Sequence, residues 1–235
     1  MVMLDQNKRS SILKIENSSK RNGKRHLIVT NEGSYKGDWK NDLKHGIGIH
    51  KTTSYRYDGY WLNGRRHGWG VLSKFSEENG YRIVYDGEWG QGKPRGHGIR
   101  QYSDGGYYNG DWKNGKRDGF GEMWYANEDY YGGLWLKDLK HGIGVYVYSN
   151  GNRFEGNWKD DRKNGQGSLF NMNTGIVQQG LWRMDMCVQS EVFNTKYRQA
   201  AVRSTSFPIP KMLYLNYVFN EDDIKKLFGK LKIIS

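Results

Sequence analysis

The amino-acid sequence predicts an all-β fold, an elongated single-layer antiparallel sheet of stacked β-hairpins with a short C-terminal helix. Three observations predict this fold. Trp recurs seven times at spacings of 22 to 28 residues, and Gly stands two residues before each one. Gly accounts for 32 of 235 residues, while 17 Tyr and 9 Trp supply much of the hydrophobic content. The mean hydropathy of −0.91 therefore favours a thin aromatic layer over a thick aliphatic core.

The spacing divides the chain into about six full copies with partial copies at both ends. Two glycines follow seven and nine residues after each of the first six repeat tryptophans. An aromatic residue also stands four positions before each of them, and Gln178 breaks this rule in the seventh copy. The aromatic pairs of the full copies are Tyr35 and Trp39, Tyr57 and Trp61, Tyr85 and Trp89, Tyr108 and Trp112, Tyr131 and Trp135, and Phe154 and Trp158.

Each copy predicts one β-hairpin. In residues 35–40 the aromatics and Gly share one face of a strand, and the Lys and Asp side chains take the other. Pairs such as Asn63-Gly64 favour the positive φ of tight hairpin turns. The insertion around residues 77–80 is predicted to form a longer hairpin loop. No hairpin can bury its aromatic face alone, so neighbours stack into a sheet of about thirteen strands.

The pattern Tyr-x-Gly-x-Trp-x6-Gly-x-Gly resembles the MORN (membrane occupation and recognition nexus) repeat over residues 21–187. This resemblance implies a non-catalytic scaffold that binds other proteins. The order of the copies, the insertion and the Phe-Pro-Ile-Pro segment at 207–210 resemble a member of the family that is expected in male germ cells. The resemblance thus implies a role in spermatogenesis, at the acrosome or in the flagellum or ciliary axoneme.

We predict that the chain is not an enzyme and that it holds no cofactor or metal. His45, His67 and His141 share one repeat position, but other copies place Arg, Asp or Asn there. Adjacent copies lie about 10 Å apart, too far for two imidazoles to share a zinc ion. Some family members carry a catalytic domain after the repeats, and the 48 residues after Cys187 are too few for one.

The net charge of +12 is concentrated in the two ends of the chain. Residues 1–34, 35–187 and 188–235 each carry a net charge of +4, although the middle segment is by far the longest. A nearly balanced body argues against general polyanion binding, so we predict no nucleic-acid partner. The sequence shows no signal peptide and no apolar run of spanning length. Its one Cys excludes an internal disulfide, so we expect a cytoplasmic protein.

The aromatic rows are the first candidate binding site. No second layer covers the Tyr and Trp residues of a single-layer sheet, and large exposed aromatic surface marks a partner site. We expect the twelve paired aromatic residues to line a groove that holds a peptide or helix of another protein. The alternative is that stacking on neighbouring glycines uses up each ring.

A row of cations in the turns is the second candidate site. They stand five residues after the repeat tryptophans or beside that position: Lys44, Arg66, Lys93, Arg95, Arg117, Lys140 and Lys163. Stacked copies would align them into a basic ridge that attracts anionic phospholipid head groups at about 1 kcal/mol per cation. One alternative is that these cations are solvated turn residues whose positive potential is partly cancelled by neighbouring Asp residues. The other is that they contact an acidic protein.

We divide the chain into a flexible basic N-terminal tail (1–20), a repeat array (21–187) and a C-terminal extension (188–235). Within the extension, the prolines hold 207–210 extended, and an amphipathic helix is predicted over about 220–232. A helix this short needs a surface to dock on. We expect it to dock on the array of its own chain, across a homodimer or on a partner, with a membrane interface as a further alternative. Its apolar stripe is Phe219, Ile224, Leu227, Phe228 and Leu231.

Overall fold

The computed structural model describes residues 20–31 and 33–194. They form one open antiparallel sheet of 15 strands, in which every strand pairs with its neighbours in chain order. The prediction of an all-β, single-layer antiparallel sheet is confirmed, and the described residues contain no helix. The strands are β1 (Gly23–Thr30), β2 (Gly33–Lys40), β3 (Leu43–Lys51), β4 (Tyr55–Leu62), β5 (Arg65–Ser76), β6 (Gly80–Gly90), β7 (Lys93–Gln101), β8 (Tyr107–Lys113), β9 (Lys116–Trp124), β10 (Tyr130–Leu136), β11 (Leu139–Val147), β12 (Arg153–Lys159), β13 (Arg162–Asn171), β14 (Ile176–Arg183) and β15 (Met186–Asn194).

Two-residue turns close the hairpin of each copy. Both turn residues have positive φ, between 48° and 85°, and this geometry matches the twist of the flanking strands. The predicted tight turns are confirmed. Because the turn takes only two residues, the chain re-enters the sheet at once. The turns are Asn41-Asp42, Asn63-Gly64, Gln91-Gly92, Asn114-Gly115, Lys137-Asp138, Asp160-Asp161 and Met184-Asp185.

The two glycines that follow each turn have different roles. The first, such as Gly46 with φ of 57°, lies beside a bulge in the hairpin and adopts a conformation that other residues rarely take. The second, such as Gly48, lies under the ring of Tyr35, where a Cβ atom would collide with that ring. Two glycines on one strand face predict a bare trough of backbone on which a neighbouring indole lies flat. Instead the Tyr of the same hairpin fills this trough, and the indole of Trp61 donates a hydrogen bond to the Gly48 carbonyl (3.1 Å).

The sheet contains two strands more than the predicted count of about thirteen. At its start, β1 completes the half copy that the sequence indicates. At its end, β15 pairs with β14 although the seventh copy lacks the paired glycines. Gln178 replaces the aromatic residue there and Ser190 stands across from Gly180, so no ring requires the space of a second glycine. β15 runs past Cys187, where the sequence analysis ends the array.

The insertion between the second and third copies lengthens two strands. β5 has 12 residues and β6 has 11, and their pairing continues as far as Ser76 and Gly80. Phe75 and Tyr81 face each other across this extension, with ring centroids 5.2 Å apart. The prediction of a longer loop is wrong, because aromatic and β-branched residues at these positions sustain the ladder.

Several predictions lie outside the described residues and stay predictions. They concern the N-terminal tail before Lys20, the extended segment 207–210 and the helix over about 220–232. Within residues 20–31 and 33–194, no helix is long and apolar enough to cross a membrane. The stripe positions outside the described part are Phe219, Ile224, Leu227, Phe228 and Leu231.

Candidate functional site

The repeat aromatics form a continuous chain of rings along one face of the sheet, which we call the aromatic face. Within a copy, the aromatic residue and its Trp pack edge to face at centroid distances of 5.0 to 5.3 Å. The same aromatic residue packs against the Trp of the next copy at 5.2 to 5.6 Å. The predicted groove residues are thus the core of the sheet. Their exposed fractions are 0 to 7% for Tyr35, Trp39, Tyr57, Trp61, Tyr85, Trp89, Tyr108, Trp112, Tyr131, Trp135, Phe154 and Trp158.

Backbone carbonyls satisfy the polar atoms of these rings, except for the buried Nε1 of Trp39, which has no hydrogen-bond partner among the described residues. Each Tyr hydroxyl donates to the carbonyl three residues later, as from Tyr108 to Asp111 (3.0 Å). Each Trp from the second copy onward donates through Nε1 to a glycine of the preceding copy, as from Trp135 to Gly121 (3.1 Å). Burial raises the pKa of the Tyr hydroxyls well above its usual range, so they remain donors at neutral pH.

Ring packing leaves little aromatic surface open. Edge-to-face contacts on both sides and glycine backbone beneath cover the rings. A partner on this face would therefore contact the side chains that lie over the rings and along their edges. The aromatic face thus remains the candidate site. A partner would contact these side chains and ring edges, and not the open ring faces of the predicted groove.

Five of the seven predicted ridge cations lie on the aromatic face, inside strands. The fifth residue after a Trp stands directly across the hairpin from it, as Lys44 does from Trp39. Its charge lies over the rings of neighbouring copies, and the Arg117 guanidinium is 3.9 Å from the ring centroid of Trp135. Their predicted position in the turns is wrong, because the two-residue turns end before them. The five are Lys44, Arg66, Arg117, Lys140 and Lys163.

The other two ridge cations lie elsewhere. Pro94 takes the position across from Trp89, so Lys93 and Arg95 alternate to the opposite face, where both are exposed. The cations over the rings are recessed by comparison. Burial lowers the pKa of Arg66 and of Lys140 because desolvation disfavours the charged form. The cations therefore do not form one exposed ridge along the turns.

Arg100 is a further cation of the aromatic face, and it is not among the predicted site residues. It stands across from Tyr85 on one side and Tyr108 on the other. Its guanidinium lies 5.3 Å from the ring centroid of Tyr102. Its Nε is buried and has no hydrogen-bond partner among the described residues. The available signal was the two-residue alternation from Gly98, which puts position 100 on the aromatic face.

The carboxylates of the strands lie on the opposite face. Asp86, for example, accepts a hydrogen bond from Trp69 Nε1 (3.0 Å), and Trp69 stands across from Glu88. Six Lys and Arg residues thus lie over the rings of the aromatic face, and no carboxylate of the described strands β2–β14 lies on that face. The strand carboxylates at the alternate positions are Asp38, Asp58, Asp86, Glu88, Asp111, Asp118, Glu122 and Glu155.

The turns connect each copy to the one before it. The N–H of the second turn residue donates to the carbonyl of the preceding copy's cation position, as from Gly64 to Lys44 (2.9 Å). Where the turn residue is Asp, its carboxylate also accepts from that residue. Asp138 accepts from the backbone N–H of Arg117 (2.9 Å) and from its Nε (3.3 Å). The pairs of this kind are Asp42 with Arg21, Asp138 with Arg117, Asp161 with Lys140 and Asp185 with Lys163.

A groove of about 600 Å³ opens on the aromatic face between β3 and β7. Tyr57 and Trp61 contribute to its floor, and Tyr55, which is 43% exposed, lies at its rim. No Asp or Glu lines this groove. Its charged and aliphatic lining consists of Lys44, Arg65, Arg66, Arg100, Leu72 and Val84.

The opposite face varies from copy to copy. The residue between the paired glycines points to this side and is strongly exposed at Ile47 (57%), Phe120 (51%) and Ile143 (53%). His97 takes the same position in β7 and lies 3.5 Å from the Asp111 carboxylate. Because these side chains support neither the ring chain nor its glycines, the copies can differ here without loss of the fold.

Among the described residues, no group of three or more His, Cys, Asp or Glu is arranged to hold a metal ion. The three histidines that share a repeat position lie on separate strands. His45 is on β3, His67 on β5 and His141 on β11. The histidine repeat position therefore brings no set of ligands together.

The MORN repeat family matches this chain over six segments: 35–53, 57–74, 85–107, 108–130, 131–153 and 154–171. Together they cover more than half of its residues. The chain belongs to the MORN repeat family. Each matched segment of this MORN repeat protein begins at the Tyr or Phe of an aromatic pair. MORN repeat proteins are generally non-catalytic scaffolds, and no catalytic family was found. The comparison with curated proteins found no match.

Proposed function

We propose that this MORN repeat protein is a non-catalytic scaffold that binds a segment of another protein along its aromatic face. Cations lie on both faces of the sheet, but the strand carboxylates are separated from the aromatic face, and this separation supports the proposal. Six cations lie over the packed rings of one face, while the strand carboxylates lie on the other. Complementary potential selects and orients a binding partner, so this separation favours one face for binding.

The proposed contact combines charge with the edges of the rings. The cations reach over the rings at centroid distances such as 4.4 Å for Arg66 on Trp89 and 5.0 Å for Lys140 on Trp158. A guanidinium stacked on a ring is held in place before a partner arrives, so less side-chain entropy is lost on binding. A peptide or helix laid over this row would contact several copies at once.

Two exposed tyrosines of β4 provide a matched test of the face that binds. Tyr55 is 43% exposed on the aromatic face, and Tyr60 is 44% exposed on the opposite face. A photoreactive benzophenone side chain would replace one or the other in the full chain, expressed in cells that make the protein. We expect protein crosslinks from position 55 and few from position 60. Crosslinks mainly from position 60 would overturn the proposal.

The cellular location is proposed from the resemblance alone. We propose that the scaffold acts in the cytoplasm of male germ cells, during assembly of the acrosome, the flagellum or the ciliary axoneme. Immunofluorescence of the full chain in differentiating germ cells tests this location. Staining confined to other compartments would contradict it.

The alternative function is peripheral binding of anionic phospholipids by the same cations. Attraction of about 1 kcal/mol per cation would favour it, whereas the position of these cations over buried rings disfavours contact with a flat bilayer. Flotation of the full chain with phosphoinositide vesicles separates the two functions. Binding at physiological salt that Lys140→Glu abolishes would place the lipid function first, and we expect no such binding.

A further inference from the structure

The cation that stands across from the repeat Trp has a different turn residue beside it in two parts of the array. In the later copies, the second turn residue is an Asp that faces the cation of the preceding copy. The Asp138 carboxylate lies 3.3 Å from the Arg117 Nε, and the Asp161 carboxylate lies 3.9 Å from the Lys140 Nζ. The protein itself supplies an anion to these cations.

In the second and third copies, the corresponding turn residues are glycines. Gly64 donates its N–H to the carbonyl of Lys44, and Gly92 donates to that of Arg66, both at 2.9 Å. Neither residue has a side chain to place beside the cation. Among the described residues, no carboxylate lies within 4.0 Å of a side-chain nitrogen of Arg66 or Arg100. Arg66 and Arg100 therefore have no neutralising carboxylate within residues 20–31 and 33–194.

The groove on the aromatic face lies at this place. Gly64 and Gly92 are among its lining residues, and a Cβ atom at Gly92 would meet no atom within 4 Å. The absent turn side chains thus open the space, and Gly92 supplies no carboxylate to Arg66. Leu72 and Val84 add an apolar part to the same lining. A ligand that fits both parts carries negative charge beside apolar groups.

We propose that the groove between β3 and β7 binds an acidic segment of a partner protein. Its Asp or Glu carboxylates pair with Arg66 and Arg100, and an apolar side chain packs against Leu72 and Val84. This rests on the proposed function and names the place and the chemistry of binding. Guanidinium groups bind carboxylates through paired hydrogen bonds. The apolar lining and the recessed cations favour a protein segment over a lipid head group at a flat surface.

The proposal is tested by selecting a phage-displayed peptide library on the full chain. The selected peptides are then measured on the double variant Gly64→Asp/Gly92→Asp, which restores the carboxylates of the later copies. Gly64 and Gly92 have φ of 78° and 85°, while Asp138 and Asp161 adopt 77° and 69° in the same position, so the variant is compatible with the fold.

Gly115→Asp is the matched control. It adds the same charge at the same turn position one copy later, where Pro94 replaces the cation. A second variant, Arg66→Gln/Arg100→Gln, removes the charges without adding any. Thermal unfolding of every variant confirms that it remains folded.

We expect the selected peptides to be rich in Asp and Glu and to contain apolar residues. Their affinity should fall about tenfold or more on both double variants and stay within about twofold on Gly115→Asp. Peptides without acidic residues, or equal binding to all variants, would overturn the proposal.

The two proposals fail in different ways. If the peptides crosslink from position 55 but ignore the Asp and Gln variants, the acidic-groove proposal falls and the scaffold function stands. If they crosslink only from position 60, both proposals fall. If no acidic peptide binds, and phosphoinositide vesicles bind with the expected dependence on Gly64→Asp/Gly92→Asp, the ligand is a lipid head group and the proposal is overturned.

Discussion

The strands β3–β7 and β9–β13 are built from the same repeat, with the same ring chain and a cation over nearly every ring pair. They differ at the second residue of the tight turn, which is Gly at positions 64 and 92 and Asp at positions 138 and 161. In β9–β13 the cations contact carboxylates of the protein. In β3–β7 they line a groove without carboxylates. A single turn position thus changes the chemistry of the face without altering its framework.

The largest expected effect comes from variants that disrupt the ring chain, which both parts of the array share. Trp61→Ala and Trp135→Ala should each lower the free energy of unfolding by about 3–5 kcal/mol. Each indole is at most 7% exposed, contacts two aromatic neighbours and donates a hydrogen bond to the preceding copy. Urea unfolding followed by circular dichroism measures the loss.

Phe120→Ala is the control for these two variants, because its side chain is 51% exposed on the opposite face. Its cost should stay within about 1 kcal/mol. If Trp61→Ala cost far less than Trp135→Ala, the two parts would not share one framework.

The next largest effect is expected from a variant that gives a later copy the turn glycine of the earlier copies. Asp138→Gly removes the acceptor of two hydrogen bonds from Arg117 and should lower the free energy of unfolding by about 1 kcal/mol. Binding of acidic peptides at Arg117 should also appear, as measured by fluorescence polarisation. Lys137→Gly, in the same turn, controls for the added backbone freedom. An Asp138→Gly variant that neither loses stability nor gains binding would contradict the comparison.

An effect of similar size concerns the one of the six aromatic pairs that has no hydroxyl. Tyr131→Phe removes the hydrogen bond from Tyr131 to the carbonyl of Leu134 (2.9 Å) and should cost about 1 kcal/mol. Phe154→Tyr should gain a similar amount, because its ring lies over Gly167 as Tyr131 lies over Gly144. Thermal unfolding of both variants checks the sign. Destabilisation by Phe154→Tyr would show that this copy packs differently.

The smallest effect is a dependence on pH in the loop between β9 and β10. Burial raises the pKa of Asp129, but hydrogen bonds from Tyr146 (2.6 Å), Ser149 and Asn127 outweigh it, so the pKa is lowered. The carboxylate therefore stabilises the fold above its ordinary pKa of 3.8, and this contribution is lost as pH falls through the folded value. Asp129→Asn should flatten the fall of the melting temperature over this acid range.

Thr52 occupies the corresponding loop between β3 and β4, where its uncharged hydroxyl accepts from the Tyr55 N–H (2.9 Å). Thr52→Ala should lower the melting temperature by the same amount at every pH. A similar loss of pH dependence in both variants would show that Asp129 is not the titrating group.

Much of the framework could be predicted from the sequence because it depends on residues close together in the chain. Alternation along a strand puts Tyr108 and Trp112 on one face, and the pair Asn114-Gly115 favours the positive φ of a tight turn. The paired glycines marked the second strand of each hairpin. These features belong to single copies, so no knowledge of the stacking was needed to predict them.

The burial of the rings and the position of the cations depend on contacts between stacked copies. Whether the rings form an open groove or a packed core was left open by the sequence, and contacts with the next copy decide for the core. The sequence predicts a turn position for Lys44, because composition does not give the length of that turn. Arg100 was not selected, since a cation at that repeat position occurs in one copy only.

The amino-acid sequence alone therefore established the hairpin, its turns and the two faces of each strand, since short-range backbone preferences determine them. The tertiary structure decided which cations meet a carboxylate. Arg117 and its acceptor Asp138 are 21 residues apart and meet only because the register between copies aligns one turn with the next. The same register brings the turn residues Gly64 and Gly92 beside the strands of the preceding copies. Because these glycines have no side chains, a groove opens there.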